Sequence, residues 1–403
     1  MRSQLGFSLL AAALLSPVAL GQSSNLDSIR IPAASESEVN TTYKAGKGLN
    51  FKSENFDFWL QVYGATDMIW TDVDNGGQDT LTFAHPFVRV NTWGSLWDDM
   101  TSFKLQWDPY NDGGATKNGT LKDFWIKRVV FKNDDMSVSI RAGQGKTYHG
   151  REFMASAAKR NFIRSSIASR TFSDSRTAGG LAMLHANNLS AWLGAWNTST
   201  AAASTLSAEE GANGDNELDW SAGFRYDVNG PFSYAMGDIA RSENWNASVG
   251  GGIWLGNTDN GQGAGARDNE VFAWNINGAY KNKGMSAQFD VFSHTSEIDG
   301  TSGEADNMGW TLQGGYITAE GWGFAGRISA ISMDPAVGAA ATAGANVIGT
   351  ASTLGGAKGD VFEYSINGTR YFNGMAHKVQ AEIALQDIDF DAAGSTDASN
   401  LIF

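Results

Sequence analysis

Phe56-Asp57-Phe58-Trp59-Leu60-Gln61-Val62 decides the fold. Phe56, Phe58, Leu60 and Val62 fall on one face of an extended chain, Asp57 and Gln61 on the other, with Trp59 between them. A period of two is the signature of a β-strand with one apolar face. Trp220, Ala222, Phe224 and Tyr226 repeat it against Ser221, Gly223 and Arg225. Phe272, Trp274, Ile276 and Tyr280 oppose Asn275 and Asn277. Met285, Ala287, Phe289 and Val291 oppose Ser286, Gln288 and Asp290. Val379, Ala381, Ile383 and Leu385 oppose Gln380, Glu382 and Gln386.

Connections alternate in length. Short turns are expected at 132–135, 185–188, 281–284, 318–321 and 373–376. Long loops rich in Gly, Ala, Ser and Asp are expected at 197–217, 257–269, 295–307, 334–359 and 387–395. Such two-sided asymmetry predicts an all-β fold: a transmembrane antiparallel up-and-down β-barrel with long extracellular loops and short periplasmic turns. In lipid, every backbone N–H and C=O must find a partner inside the protein, and a closed sheet satisfies that requirement. About sixteen strands are expected: 56–71, 81–92, 101–110, 121–131, 136–145, 177–185, 189–197, 218–227, 245–256, 270–280, 285–294, 308–318, 322–332, 360–372, 377–386 and 396–403. Residues 227–244 read as a long periplasmic connection, or one holding part of a strand. Trp192, Trp196, Trp254 and Tyr280, near strand ends, suit aromatic girdles at the membrane surface.

Composition agrees. The 403 residues carry 29 Lys and Arg against 43 Asp and Glu, a net charge of −14, and include 48 Gly, 14 Trp and no Cys. Zero Cys excludes disulfides, thiolate metal sites and a Cys nucleophile. The acidic balance argues against a nucleic-acid partner. Residues 1–21 read as a signal peptide: Arg2, the apolar run Leu5–Leu20 and the small-x-small site Ala19-Leu20-Gly21. No later run reaches the length of an apolar membrane helix. Residues 22–55 read as a polar leader and 56–403 as the barrel, exported to the outer membrane. The terminal Phe403 resembles the insertion signal of such barrels.

Charge is uneven. Residues 141–176 hold Arg141, Lys146, Arg151, Lys159, Arg160, Arg164, Arg170 and Arg176 against only Glu152 and Asp174, a net +6. The segment joins two strands on the long-loop side and is the longest such connection, so 146–176 is expected to be a constriction loop. Arg and Lys at a constriction select anions, because they donate charge-assisted hydrogen bonds to oxyanions. Arg141 has inward parity, opposite Val138 and Ile140. Arg89, Arg225 and Arg327 share it. The bland alternatives are a solvated charge run, lipopolysaccharide contacts and lumen-wall salt bridges.

Arg141-Ala-Gly-Gln144-Gly-Lys146, then Arg164-Ser-Ser-Ile-Ala-Ser-Arg170, then Phe172 and Arg176, resembles the phosphate-selective porin O and P family. Tyr371-Phe372-Asn373-Gly374-Met375-Ala376-His377-Lys378-Val379-Gln380 and Gly237-Asp238 are similar to further family segments. The resemblance spans about residues 45–403. It implies a sixteen-stranded, usually trimeric channel whose lumen arginines and lysines meet small anions such as phosphate, in contact with outer-membrane lipid and lipopolysaccharide. Thr147-Tyr148-His149 stands where the family has Pro.

Other signals are weaker. Gly143-Gln144-Gly145-Lys146-Thr147 misses a phosphate loop, since Ile140 occupies the first Gly position. The five His form no metal pair, and no G-x-S-x-G elbow occurs. Asp72 to Asp79 lacks the EF-hand pattern. Lumen Trp would suit a sugar channel, but most Trp share a face with Phe, Leu or Ile, Trp59 being the main exception. The expectation is therefore a passive porin preferring anions, with no catalysis, cofactor or metal. The alternatives are a non-selective or cation-preferring porin, a plugged adhesive or structural barrel, and a barrel enzyme.

Overall fold

A computed structural model describes residues 39–73, 80–110, 119–173, 176–197, 218–259, 268–298, 304–334, 359–390 and 398–402. Within them lie eighteen strands, two short α-helices and one 3-10 turn, Ala157–Lys159. The strands are β1 (Asn40–Lys44), β2 (Gly48–Lys52), β3 (Phe56–Val73), β4 (Thr80–Leu96), β5 (Asp98–Tyr110), β6 (Thr120–Lys132), β7 (Met136–Lys146), β8 (Arg176–Ala186) and β9 (Leu189–Asn197). They continue with β10 (Leu218–Val228), β11 (Asn246–Asp259), β12 (Asp268–Asn282), β13 (Met285–Ile298), β14 (Glu304–Ile317), β15 (Trp322–Met333), β16 (Gly359–Tyr371), β17 (Lys378–Phe390) and β18 (Ala398–Ile402). Helices α1 (Arg151–Met154) and α2 (Ile167–Phe172) lie between β7 and β8. Among the described residues no helix is long and apolar enough to cross a membrane.

From β3 to β18 each strand pairs antiparallel with its sequence neighbour. Strand β18 then pairs with β3 through Asn400–Val73, Leu401–Asp72 and Ile402–Thr71. The pairing thus runs full circle through sixteen strands, the number read from the alternating pattern. Two further strands, β1 and β2, form a hairpin in the stretch read as a leader, and β2 pairs with β3 from Leu49–Leu60 to Lys52–Asp57.

Burial is inverted relative to a water-soluble fold. Along β16, Val361, Glu363, Ser365, Asn367 and Thr369 are buried, while Phe362, Tyr364 and Ile366 are exposed. Val62, Phe83, Phe224, Ile276, Leu312 and Phe324 are likewise exposed. An apolar outer face around a polar interior is the arrangement a lipid-facing barrel requires. Several strands outrun their apolar stripe: β11, β12, β13, β14 and β17 reach into stretches expected to be loops, because ladder hydrogen bonding does not depend on side-chain polarity. The remainder of the long loops, and Phe403, lie outside the described residues.

One expectation is corrected here. Trp192, Trp196 and Trp254 are not girdle residues; the first two are buried on the interior face with Leu181 and Met183, and Tyr148 and Trp254, the latter between exposed Ile253 and Leu255, pack on them. Cross-strand pairing of Trp192 with Met183 sets that orientation. Tyr280 is exposed, as a girdle residue would be. The connection after β10 is long, as expected, and holds no strand between Val228 and Asn246. Its Phe232 and Met236 are buried, and the Met236 N–H donates to the Lys159 carbonyl at 2.9 Å, so it reaches inward to the β7–β8 loop.

Candidate functional site: an inserted loop and a basic cavity

The β7–β8 loop crosses the interior and docks on the opposite wall. Gly150 opens the crossing at φ +78°; a Cβ there would lie 2.8 Å from the Phe292 ring. Asp290 of β13 accepts the Arg151 N–H at 2.6 Å and the Glu152 N–H at 3.3 Å. Glu363 of β16 accepts the Ile167 N–H at 3.2 Å, and Ser329 of β15 accepts that of Ala168 at 3.2 Å. Ser166 caps α2 by accepting the Ser169 N–H at 3.2 Å. Wall residues therefore satisfy the orphan donors at the start of each helix.

Apolar residues complete the seat. Ile167 and Ala168 pack on Phe292, Ile331, Val361 and Ile388, with Phe172 stacked on Phe292 at 5.8 Å. Those four wall residues have interior parity on otherwise polar faces, a signal the sequence held. Beside them Arg327 pairs with Glu363 at 3.1 Å, Glu382 at 3.2 Å and Glu152 at 3.7 Å, and Arg170 pairs with Glu363 at 2.9 Å. Arg327 also lies 4.3 Å over the Phe162 ring and donates to the Arg164 carbonyl at 2.8 Å.

The loop leaves a cavity of about 300 Å³ against the β4–β8 wall. Arg89, Lys104, Lys122, Arg141, Lys146, Arg160 and Arg176 line it, and among the described residues Asp123 is its one acidic lining residue. Asp123 accepts from Lys104 at 2.5 Å and from Arg176 at 3.3 Å. Arg89 pairs with Asp108 at 3.2 Å. Arg141 is held by rings rather than by acids: its guanidinium lies 5.4 Å from Tyr148, 5.6 Å from Trp196 and 5.9 Å from Trp125. Its Nη2 donates to the Lys146 carbonyl at 3.0 Å. Lys146 in turn donates to the carbonyls of Phe153 and Ala155. Ring faces and carbonyls orient a cation without cancelling its charge.

Of the eleven basic residues singled out in the sequence, Arg89, Arg141, Lys146, Arg160 and Arg176 meet in this cavity. The others lie elsewhere. Arg164, Arg170 and Arg327 sit in or beside the carboxylate cluster that anchors the loop. Arg151 is buried over Phe232 and Tyr234, and Arg225 pairs with Asp227 at 3.0 Å. Lys159 is exposed. Sequence reasoning missed Lys104, Lys122 and Asp123. Lys104 alternates with Phe103 and Leu105, so the parity rule that selected Arg89 would have found it. Lys122 is the extra residue of a bulge, since Gln106 faces Asp123 and Trp107 faces Leu121, and alternation fails there.

His149 is buried, bonds Asn275 at 2.9 Å, and burial pushes its imidazole down to about 4. Among the described residues no group of three or more His, Asp or Glu is placed to hold a metal.

No protein-family model matches the sequence, and no curated protein is similar to it. Solved structures do match its shape. The outer membrane channel DcaP of Acinetobacter baumannii superposes with a TM-score of 0.55 at 11% identity, over 86% of this chain and 96% of that one. OmpT, an outer membrane protein of Vibrio cholerae, gives 0.51 at 12% identity, over 86% and 95%. Its trimer form gives 0.50 at 12% identity, over 86% and 98%. The fold is that of outer-membrane β-barrels.

Proposed function

We propose that this chain is an outer-membrane porin that passes small hydrophilic solutes passively and favours anions. One observation carries the reading: among the described residues, seven basic side chains and one carboxylate line the cavity that the inserted loop leaves against the β4–β8 wall. Walls of one sign in a narrow, low-dielectric passage concentrate the opposite ion. Several weak sites in succession let that ion enter and leave. Glu363 and Glu382 are engaged across the interior, on Arg327 and Arg170, so Asp123 and Asp108 alone pair with Lys104, Arg176 and Arg89 among the described residues.

The motif resemblance to the phosphate-selective porin O and P family adds inorganic phosphate to the expected solutes. It also supports a homotrimer in lipid and lipopolysaccharide, reached through signal-peptide export; OmpT has a trimer form. Diffusion through such a pore needs neither catalysis nor a cofactor.

The test is the zero-current potential across a planar bilayer in a KCl gradient. An anion-selective potential is expected. A cation-selective or neutral one would refute the reading.

A further inference from the structure

Strands β3 to β6 carry an unbroken interior row. Trp59 faces Trp93, Trp93 faces Lys104, and Lys104 faces Trp125. The first two indoles lie nearly parallel, 14° apart with centroids at 6.4 Å. All four side chains are half-buried, and cations already flank the row, Lys47 5.3 Å over the Trp59 ring and Arg141 5.9 Å from that of Trp125. At one strand spacing per step the row extends about 14 Å, and Lys104 and Trp125 line the basic cavity. Two residues along each strand, a second row runs beside it. Gln61 faces Asn91, Asn91 faces Gln106, and Gln106 faces Asp123. These amides already bond one another, Gln106 to Asn91 at 3.2 Å and Asn91 to Gln61 at 3.5 Å.

Inorganic anions have no use for indole faces. A pyranose ring does: its C–H face is apolar and packs flat on an indole, while its hydroxyls need neighbours that both donate and accept. Side-chain amides do both. Aromatic faces beside a few placed polar groups are the usual lining of an organic-solute site. We propose that the preferred solute is an anionic carbohydrate, a pyranose bearing a carboxylate or phosphate. Its ring travels along Trp59, Trp93 and Trp125, its hydroxyls exchange with the Gln61–Asn91–Gln106 amides, and its anionic group is drawn to Lys104 and the cavity. This rests on the anion-channel reading and narrows it.

The experiment uses the full-length protein in a planar bilayer. Chloride current is titrated with D-glucuronate and with D-gluconate, two anions of equal charge, one a ring and the other an open chain. The zero-current potential is read in the same membranes. Glucuronate is expected to block at about one-fifth of the gluconate concentration, the size of a favourable aromatic contact. Trp93→Leu should bring the two within twofold and Trp93→Phe, which keeps an aromatic face, should preserve the gap. Equal block of the native channel by both anions, with anion selectivity intact, overturns the carbohydrate proposal and leaves the porin reading standing. Discrimination that survives Trp93→Leu also overturns it. A cation-selective potential overturns both.

Discussion

Glu363→Gln tests how the loop is held. Glu363 is 1% exposed and accepts from Arg170 at 2.9 Å, from Gln386 at 2.9 Å and from the Ile167 N–H at 3.2 Å, with Arg327 at 3.1 Å. The substitution keeps the shape and removes the charge. Arg327 retains Glu382 and Glu152, whereas Arg170 loses its carboxylate. Breaking a buried pair from one side costs about 3–5 kcal/mol; with Arg327 still paired, the low end, about 3 kcal/mol, applies. Arg170 and Ile167 belong to the loop, so the cost falls on docking rather than on the sheet. About 3 kcal/mol is roughly a hundredfold in the undocked population. Trypsin applied to the folded, unheated protein in detergent should then cut after Arg164 or Arg170 about a hundred times faster, provided opening is rapid relative to cleavage. Glu243→Gln, at an exposed acid on the β10–β11 connection, is the control. Equal cleavage rates for Glu363→Gln and the native protein would refute the anchoring argument.

Charge removal should separate the cavity from the anchor. Arg160→Gln is expected to lower the anion-to-cation permeability ratio about fivefold, the value of one charge at contact distance in water, about 1 kcal/mol. Arg164→Gln, beside Glu382, should change it by less than twofold, and equal effects would show that the cavity does not set selectivity. His149 gives a pH dependence. Its folded value of about 4 lies below the free value of 6.5, so between these pH values the released loop binds the extra proton. Docking should be at full strength above pH 6.5 and weaken by on the order of 3 kcal/mol as pH falls to 4. Tryptic release of the loop against pH reads this, and an unchanged acid limb in His149→Gln would contradict it. Gly143→Ala should destabilise β7 by about 1–3 kcal/mol, because Gly143 has φ +116° and a Cβ there would lie 2.2 Å from the Phe124 carbonyl. Heat-modified migration on gels would shift to a lower temperature, and no shift would count against that strain.

The strand pattern was legible because lipid demands it. Polar and apolar residues must alternate wherever one face meets hydrocarbon and the other a wet interior, so a run of alternation such as Phe56 to Val62 names a strand and its orientation together. Arg89 and Arg141 were placed inside on that rule alone. The same rule was available for Trp192 and Trp196, but a Trp near a strand end also suits a membrane girdle, and composition does not choose between the two. Only the pairing with Met183 and Ser221 turns them inward.

The sequence by itself determined the sheet, its circular order and the concentration of positive charge in one crossing segment. Those properties are local: each strand's period and each connection's length are readable in place. The tertiary structure alone decided which cations serve the passage and which serve the scaffold. Arg170 and Arg176 stand six positions apart in one basic run, yet one is bound to Glu363, 193 residues away, and the other faces the cavity beside Asp123. Whether a buried cation is anchored or available to a solute depends on the acids that folding brings to it, and those acids come from β16, β17 and β6, far from it in the chain.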